Sequence, residues 1–164
     1  MLSECKIRIA TAEDVPDILA LQEPNLVETA GGGISVRQTA EWFERTINEM
    51  PIIIARRDGI LVGYLVTTSL AAKAHVGIVQ DMLRSFPAPP NCYSYGPVCV
   101  AERERGHGLA GAMFDELRAR LPDRPAMTFV RADNSASLRA HRKMGMRELG
   151  TFTNEGVSHI AFAY

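Results

Sequence analysis

Two periods of apolar spacing run along the chain. Ile7 and Ile9 alternate with Lys6, Arg8 and Ala10, which predicts a short first strand. Thr11 and Asp14 have capping-box spacing, with Asp in place of the usual Glu or Gln. Pro16 suits an early helical position, and Val15, Ile18, Leu19 and Leu21 line a first helix. Residues 22–33 break it with Pro24 and three successive glycines, the composition of a mobile loop. Ser35-Val36-Arg37-Gln38 is a second capping box. Val36, Ala40, Phe43, Ile47 and Met50 follow at spacings of three and four, so a second helix is expected behind Ser35.

Further on, residues 52–55 and 60–68 read as antiparallel strands joined at Asp58-Gly59, whose residues tolerate positive φ. Their weak alternation suits strands covered on both faces. Residues 70–90 are ambiguous. His75, Ile78, Val79, Met82, Leu83 and Phe86 have helical spacing, and Pro87, Pro89 and Pro90 end any helix there. Residues 93–100 predict a strand, 108–121 a long helix, 126–131 a strand and 135–144 a helix stopped by Gly145. Residues 146–153 and 157–164 close the chain as a hairpin. The predicted order is βααβββαβαββ, with the ambiguous stretch free to add strand or helix.

At 164 residues the chain suits one domain spanning 1–164, with no repeat and no linker. The formal charge of −1 and the absence of a concentrated basic patch speak against a nucleic-acid partner. No apolar run reaches membrane-spanning length, so no membrane partner is expected. Cys5, Cys92 and Cys99 are odd in number and form no CxxC pair. That fits a reducing, cytoplasmic setting and no metal site. A homodimer stays open.

The segment richest in chemistry follows the strand at 93–100. The chain turns through Arg103-Glu104-Arg105-Gly106-His107-Gly108-Leu109 and opens a helix. Free amides at such a turn, with the helix dipole behind them, can cradle phosphate, and Arg103 and Arg105 add charge. No Gly-Lys-Ser or Gly-Lys-Thr follows, so it is no Walker loop, and three spaced glycines of a dinucleotide fingerprint are missing.

Arg103-x-x-Gly106-x-Gly108, together with Asn134-x-x-Ser137-x-x-x-His141-x-x-x-Gly145-Met146, resembles the Gcn5-related N-acetyltransferase (GNAT) superfamily. The family usually carries Tyr where His141 stands and Gly-Phe where Gly145-Met146 stands. The resemblance implies an α/β fold: a mixed, strongly bent central sheet, helices on both faces, and a V-shaped splay between two central parallel strands. It implies acetyl-CoA as cofactor and transfer of the acetyl group to a primary amine, by direct attack in a ternary complex. Backbone at Val98 and Val100 would pair with the pantetheine arm. The amides of Glu104, Arg105, Gly106, His107, Gly108 and Leu109 would hold the pyrophosphate, with Arg103, Asn134 and Ser137 beside the cofactor. A backbone amide near Val98 would serve the oxyanion.

The catalytic candidates are His141 and Tyr95. His141 shares a helix face with Ser137 and Asn134. A neutral imidazole must use the correct tautomer, whereas an imidazolium is the stronger acid. Tyr95 is a candidate proton donor to the leaving thiolate. Cys99 has the opposite strand phase to Val98 and Val100 and reads as structural. Glu23, Glu28, Trp42 and Tyr93 are candidates for the acceptor wall. A small metabolite or amino-acid-like amine is the leading acceptor. A protein N-terminus or lysine is the alternative, and a CoA-binding sensor without turnover is a second functional class.

Overall fold

In the computed structural model, residues 4–27 and 33–164 are described. The strands are β1 (Cys5–Ile9), β2 (Ile52–Arg57), β3 (Ile60–Ser69), β4 (Tyr93–Val100), β5 (Ala126–Arg131), β6 (Arg147–Asn154) and β7 (Val157–Ala163). The helices are α1 (Val15–Gln22), α2 (Ala40–Glu49), α3 (Gly77–Ser85), α4 (Leu109–Arg120) and α5 (Ser135–Lys143). The strands form one mixed sheet of seven in the order β1-β2-β3-β4-β5-β7-β6, flanked by helices. β4 and β5 are parallel and paired at Tyr93–Ala126 and Ser94–Met127, whereas β1–β2, β2–β3, β5–β7 and β6–β7 are antiparallel.

The ambiguous stretch resolves into a short 3-10 turn, Ala71–Lys73, followed by α3, so the order gains a helix before β4. The second helix begins at Ala40 rather than behind Ser35. Thr39 is its cap, accepting a 3.1 Å hydrogen bond from the Trp42 amide. Long-range pairing overrides the Ser35 box. Ile34 bridges Leu26, and Gln22 both donates to and accepts from the Gln38 backbone, at 3.1 and 2.9 Å. Val36, expected on the apolar stripe, is consequently exposed.

The chain divides into two compact units, one of Met1–Thr67 with Gly96–Pro122, the other of Thr68–Tyr95 with Asp123–Tyr164. In the first, β2 and β3 are buried on both faces, which accounts for their weak alternation. Asp58 and Gly59, both at positive φ, make the hairpin turn between them. Side chains of opposite phase on β3 seat different helices. Tyr64 joins the core formed with Ile18 of α1 and Phe43 of α2. Gly63 receives α4, and a Cβ there would lie 3.1 Å from Met113 and 3.3 Å from Leu109. Asp14 is buried between Arg8 (2.8 Å) and Arg56 (2.9 Å). Burial opposes its ionisation, but Arg8, the Thr11 amide and Arg56 outweigh it and hold the carboxyl below the usual range.

In the second unit, Val79 and Met82 of α3 pack into a core with Met127, Phe152, Ala161 and Ala163. Phe86, just past α3, lies on Gly150 at a register shift in β6. Gly150 has φ +144°, and a Cβ built on it would meet the Phe86 ring at 2.9 Å.

Candidate active site

The first unit carries the glycine turn. After β4, the Ala101 amide donates to the Val62 carbonyl at 2.8 Å, and residues Glu102–Glu104 form a 3-10 turn. The Glu104 and Arg105 amides point inward, donating to the carbonyls of Ala101 (2.8 Å) and Glu102 (3.2 Å). These two amides, expected to hold pyrophosphate, are therefore already engaged. The side chains are anchors as well. Arg57 of β2 grips the Glu104 carboxylate with two hydrogen bonds, 2.8 and 3.1 Å, which keeps that carboxyl below its ordinary value. Arg105 donates to the Val100 carbonyl at 3.2 Å and to Asn25 Oδ1 at 2.5 Å. Asn25 in turn donates to the Leu21 carbonyl at 2.8 Å. Arg105 is thus a strut, not the free phosphate charge expected from sequence.

The open part of the turn is shorter, covering residues 106–109. Gly106 and Gly108 have φ of +77° and +83°, and open space surrounds the position a Cβ would take on either. Gly108 caps α4 without any side-chain hydrogen bond, so the helix presents its first amides uncovered. His107 is exposed, its Nδ1 3.4 Å from the Glu104 carbonyl. Arg103 is exposed on a concave surface of about 790 Å³ shared with Asp17, Arg56, Ile60 and Glu102.

Val98 and Val100 are half-buried and flank the buried Cys99, as strand phase requires. Burial pushes the Cys99 thiol up to about 11, against the lowering effects of Tyr64 and Arg105, so a thiolate is scarce near neutrality. Of the acceptor candidates in this unit, Glu23 is exposed and ion-paired with Arg37 at 2.6 Å. Trp42 sits edge-on to Phe43 with ring centroids 5.1 Å apart and packs against the core. Glu28 lies outside the described residues.

The second unit carries the other motif. Asn134 caps α5, its Oδ1 accepting from the Ser137 amide at 3.2 Å. One turn on, His141 Nδ1 lies 2.7 Å from the Ser137 carbonyl and 3.4 Å from Ser137 Oγ. The imidazole sits edge-on to Tyr95 (6.1 Å) and tilted on Phe162 (5.4 Å). Burial lowers its pKa, partly offset by the Ser137 carbonyl. Tyr95 is buried with its hydroxyl 4.0 Å from Met144 Sδ. Burial, then Tyr93, raises its pKa, so it releases its proton less readily than an ordinary tyrosine. Tyr93 was expected on the acceptor wall. It is instead fully buried, hydrogen-bonded to the Tyr164 hydroxyl, with the Arg124 guanidinium over its ring. Tyr164 touches Tyr93 and Tyr95 edge-on at 6.1 Å each. Only its phase with Phe162 along the last strand could have pointed to it.

The family model of the Acetyltransferase (GNAT) family matches residues 15–146. The chain belongs to the GNAT acetyltransferase family. Its cofactor is acetyl-CoA, which suits the open, positive-φ glycine turn at the uncapped start of α4. Solved structures share this GNAT fold at low identity. An N-acetyltransferase from Staphylococcus aureus Mu50 is 23% identical with a TM-score of 0.74, covering 99% of this chain and 98% of that one. A ribosomal-protein-alanine N-acetyltransferase from Brucella melitensis is 24% identical with a TM-score of 0.70, over 97% and 98%. The yncA protein of Salmonella typhimurium, solved with its cofactor acetyl-CoA, is 16% identical with a TM-score of 0.68, over 98% and 92%. Among curated protein sequences, none matches the chain. No described helix of this GNAT protein is long and apolar enough to cross a membrane. Among the described residues, no group of three His, Cys, Asp or Glu could hold a metal ion.

Proposed function

We propose that residues 1–164 act as one catalytic domain that moves the acetyl group of acetyl-CoA to the primary amine of a small metabolite or amino-acid-like acceptor. The observation that carries this reading is the uncapped start of α4, where Gly106 and Gly108 leave amides open to a phosphate and Arg57 and Asn25 brace the turn from behind. In this reading the amides of residues 106–109, with Arg103, hold the pyrophosphate, and Val98 and Val100 offer backbone to the pantetheine arm. Asn134 and Ser137 flank the cofactor, and the Val98 amide serves the oxyanion. Acetyl-CoA supplies an activated acyl group, so direct attack by the amine needs no covalent enzyme intermediate. Burial of Cys99 supports that, because its protonated thiol is a poor nucleophile.

The test is thiol release from acetyl-CoA against pooled small amines, amino acids and short peptides. Turnover with a small amine supports the proposal. Turnover confined to peptides moves the acceptor to a protein N-terminus or lysine. Tight acetyl-CoA binding without turnover on any pool makes the protein a CoA sensor.

A further inference from the structure

His141 stands where the resemblance expects a tyrosine, and its surroundings specify its protonation. A carbonyl oxygen can only accept a hydrogen bond. The 2.7 Å contact between His141 Nδ1 and the Ser137 carbonyl therefore places a hydrogen on Nδ1. Nε2 has no hydrogen-bond partner among the described residues. In a neutral ring Nε2 then holds the lone pair.

The neighbours leave the ring in that state. From β4, the Tyr95 ring stands nearly perpendicular to the imidazole, at 82°, and stays un-ionised, since burial raises its pKa. From β7, Phe162 presents an apolar face. On α5 itself, Arg142 is ion-paired at 2.5 Å with Glu148 of β6, and Arg139 and Lys143 are exposed. Among the described residues no carboxylate contacts the imidazole to favour its cation, and burial disfavours that cation further.

Resting on the acetyl-transfer reading, we infer that His141 is a general base acting through Nε2, with the Ser137 carbonyl as the positioning group that fixes its tautomer. The acceptor's ammonium gives one proton to Nε2. The freed nitrogen lone pair forms the new N–C bond while the thioester C–S bond breaks and its electron pair leaves with sulfur. A second amine proton goes to sulfur, giving the thiol, and Nε2 returns its proton to water. This is the reverse of the acid role that the tyrosine position suggests. An acid would need a hydrogen on Nε2 at the start.

Two measurements on the full chain decide it. Long-range proton–nitrogen NMR of histidine-labelled protein, with His141 assigned through His141→Gln, should show a protonated Nδ1 and a bare Nε2 above pH 7. Using the best amine from the thiol-release screen, kcat/KM should fall as pH drops through a value below the ordinary histidine 6.5. His141→Gln should lose that limb and about 100-fold in kcat, while acetyl-CoA affinity by calorimetry and the melting temperature hold. Turnover by an enzyme whose His141 carries hydrogen on Nε2 overturns the base role and leaves acetyl transfer standing. So does a rate that rises with acid, or a His141→Gln kcat equal to wild type. Absence of turnover with every amine and peptide overturns both.

Discussion

The starts of α4 and α5 are both helix N-termini that the resemblance assigns to one cofactor, yet they are built in opposite ways. At α5 the Asn134 side chain caps the Ser137 amide, so the helix satisfies itself. At α4 the cap is Gly108, which has no side chain to offer, and Glu104 and Arg105 of the turn before it are tied into the fold. Glu104 is held by Arg57, and Arg105 by Asn25 and Val100. An anion site of backbone amides needs donors that no local side chain competes for, on a turn too braced to collapse onto itself. Only α4 meets both conditions. The α5 start is better suited to aiming a side chain about two turns later, and that side chain is His141.

The comparison is broken most strongly by Gly108→Val. A branched residue at φ +83° is strained and crowds the open amides. Losing two charge-assisted hydrogen bonds of about 2 kcal/mol each should weaken acetyl-CoA binding on the order of 1000-fold. Calorimetry on folded protein checks this, and wild-type affinity would remove the turn from the cofactor site. Glu104→Ala should come next. It touches none of the open amides but unfastens the turn from β2, so acetyl-CoA affinity should drop roughly tenfold, the value of one displaced bond to a charged group. If Glu104→Ala binds like wild type, the brace is dispensable.

Asn134→Ala should act mainly on the scaffold, costing about 1 kcal/mol of stability in urea melts. Asn134→Asp should keep most of that, since either oxygen can cap. A large affinity loss in both would mean that Asn134 serves the cofactor as much as the helix. Cys99→Ala should have the smallest effect on chemistry, with turnover retained and no acetyl adduct in intact-protein mass. An adduct on Cys99 that is kinetically competent would replace direct transfer with a two-step route.

What the sequence disclosed here was local. The strands at 93–100 and 126–131 have the observed boundaries because alternation and flanking turn residues encode them within a few positions. The Asn134 cap is likewise local, its oxygen reaching an amide only three positions on. The brace was not, because Arg57 and Glu104 are 47 positions apart and Arg105 and Asn25 are 80 apart. A period of two or 3.6 carries no information at that range. Ser35 failed for the same reason, its local box losing to Gln22 across 16 positions. Tyr93 and Tyr95, two apart on β4, share a strand face by phase alone, but whether that face meets solvent depends on Tyr164, 71 positions beyond Tyr93. His141 was found by spacing, while its tautomer followed only from the distance to a carbonyl.

Phe86 and Gly150 act together as a key and its slot. Hairpin strands such as β6 and β7 can in principle pair one step out of line, and each such slip turns every side chain to the opposite face. Here a slip would bring Leu149 or Thr151 under the Phe86 ring, where even the Cβ of Gly150 would stand only 2.9 Å away. Only the residue without a Cβ fits. The correct alignment of the terminal hairpin is therefore checked by a ring more than sixty positions earlier in the chain, so that α3 proofreads the strand on which it comes to rest.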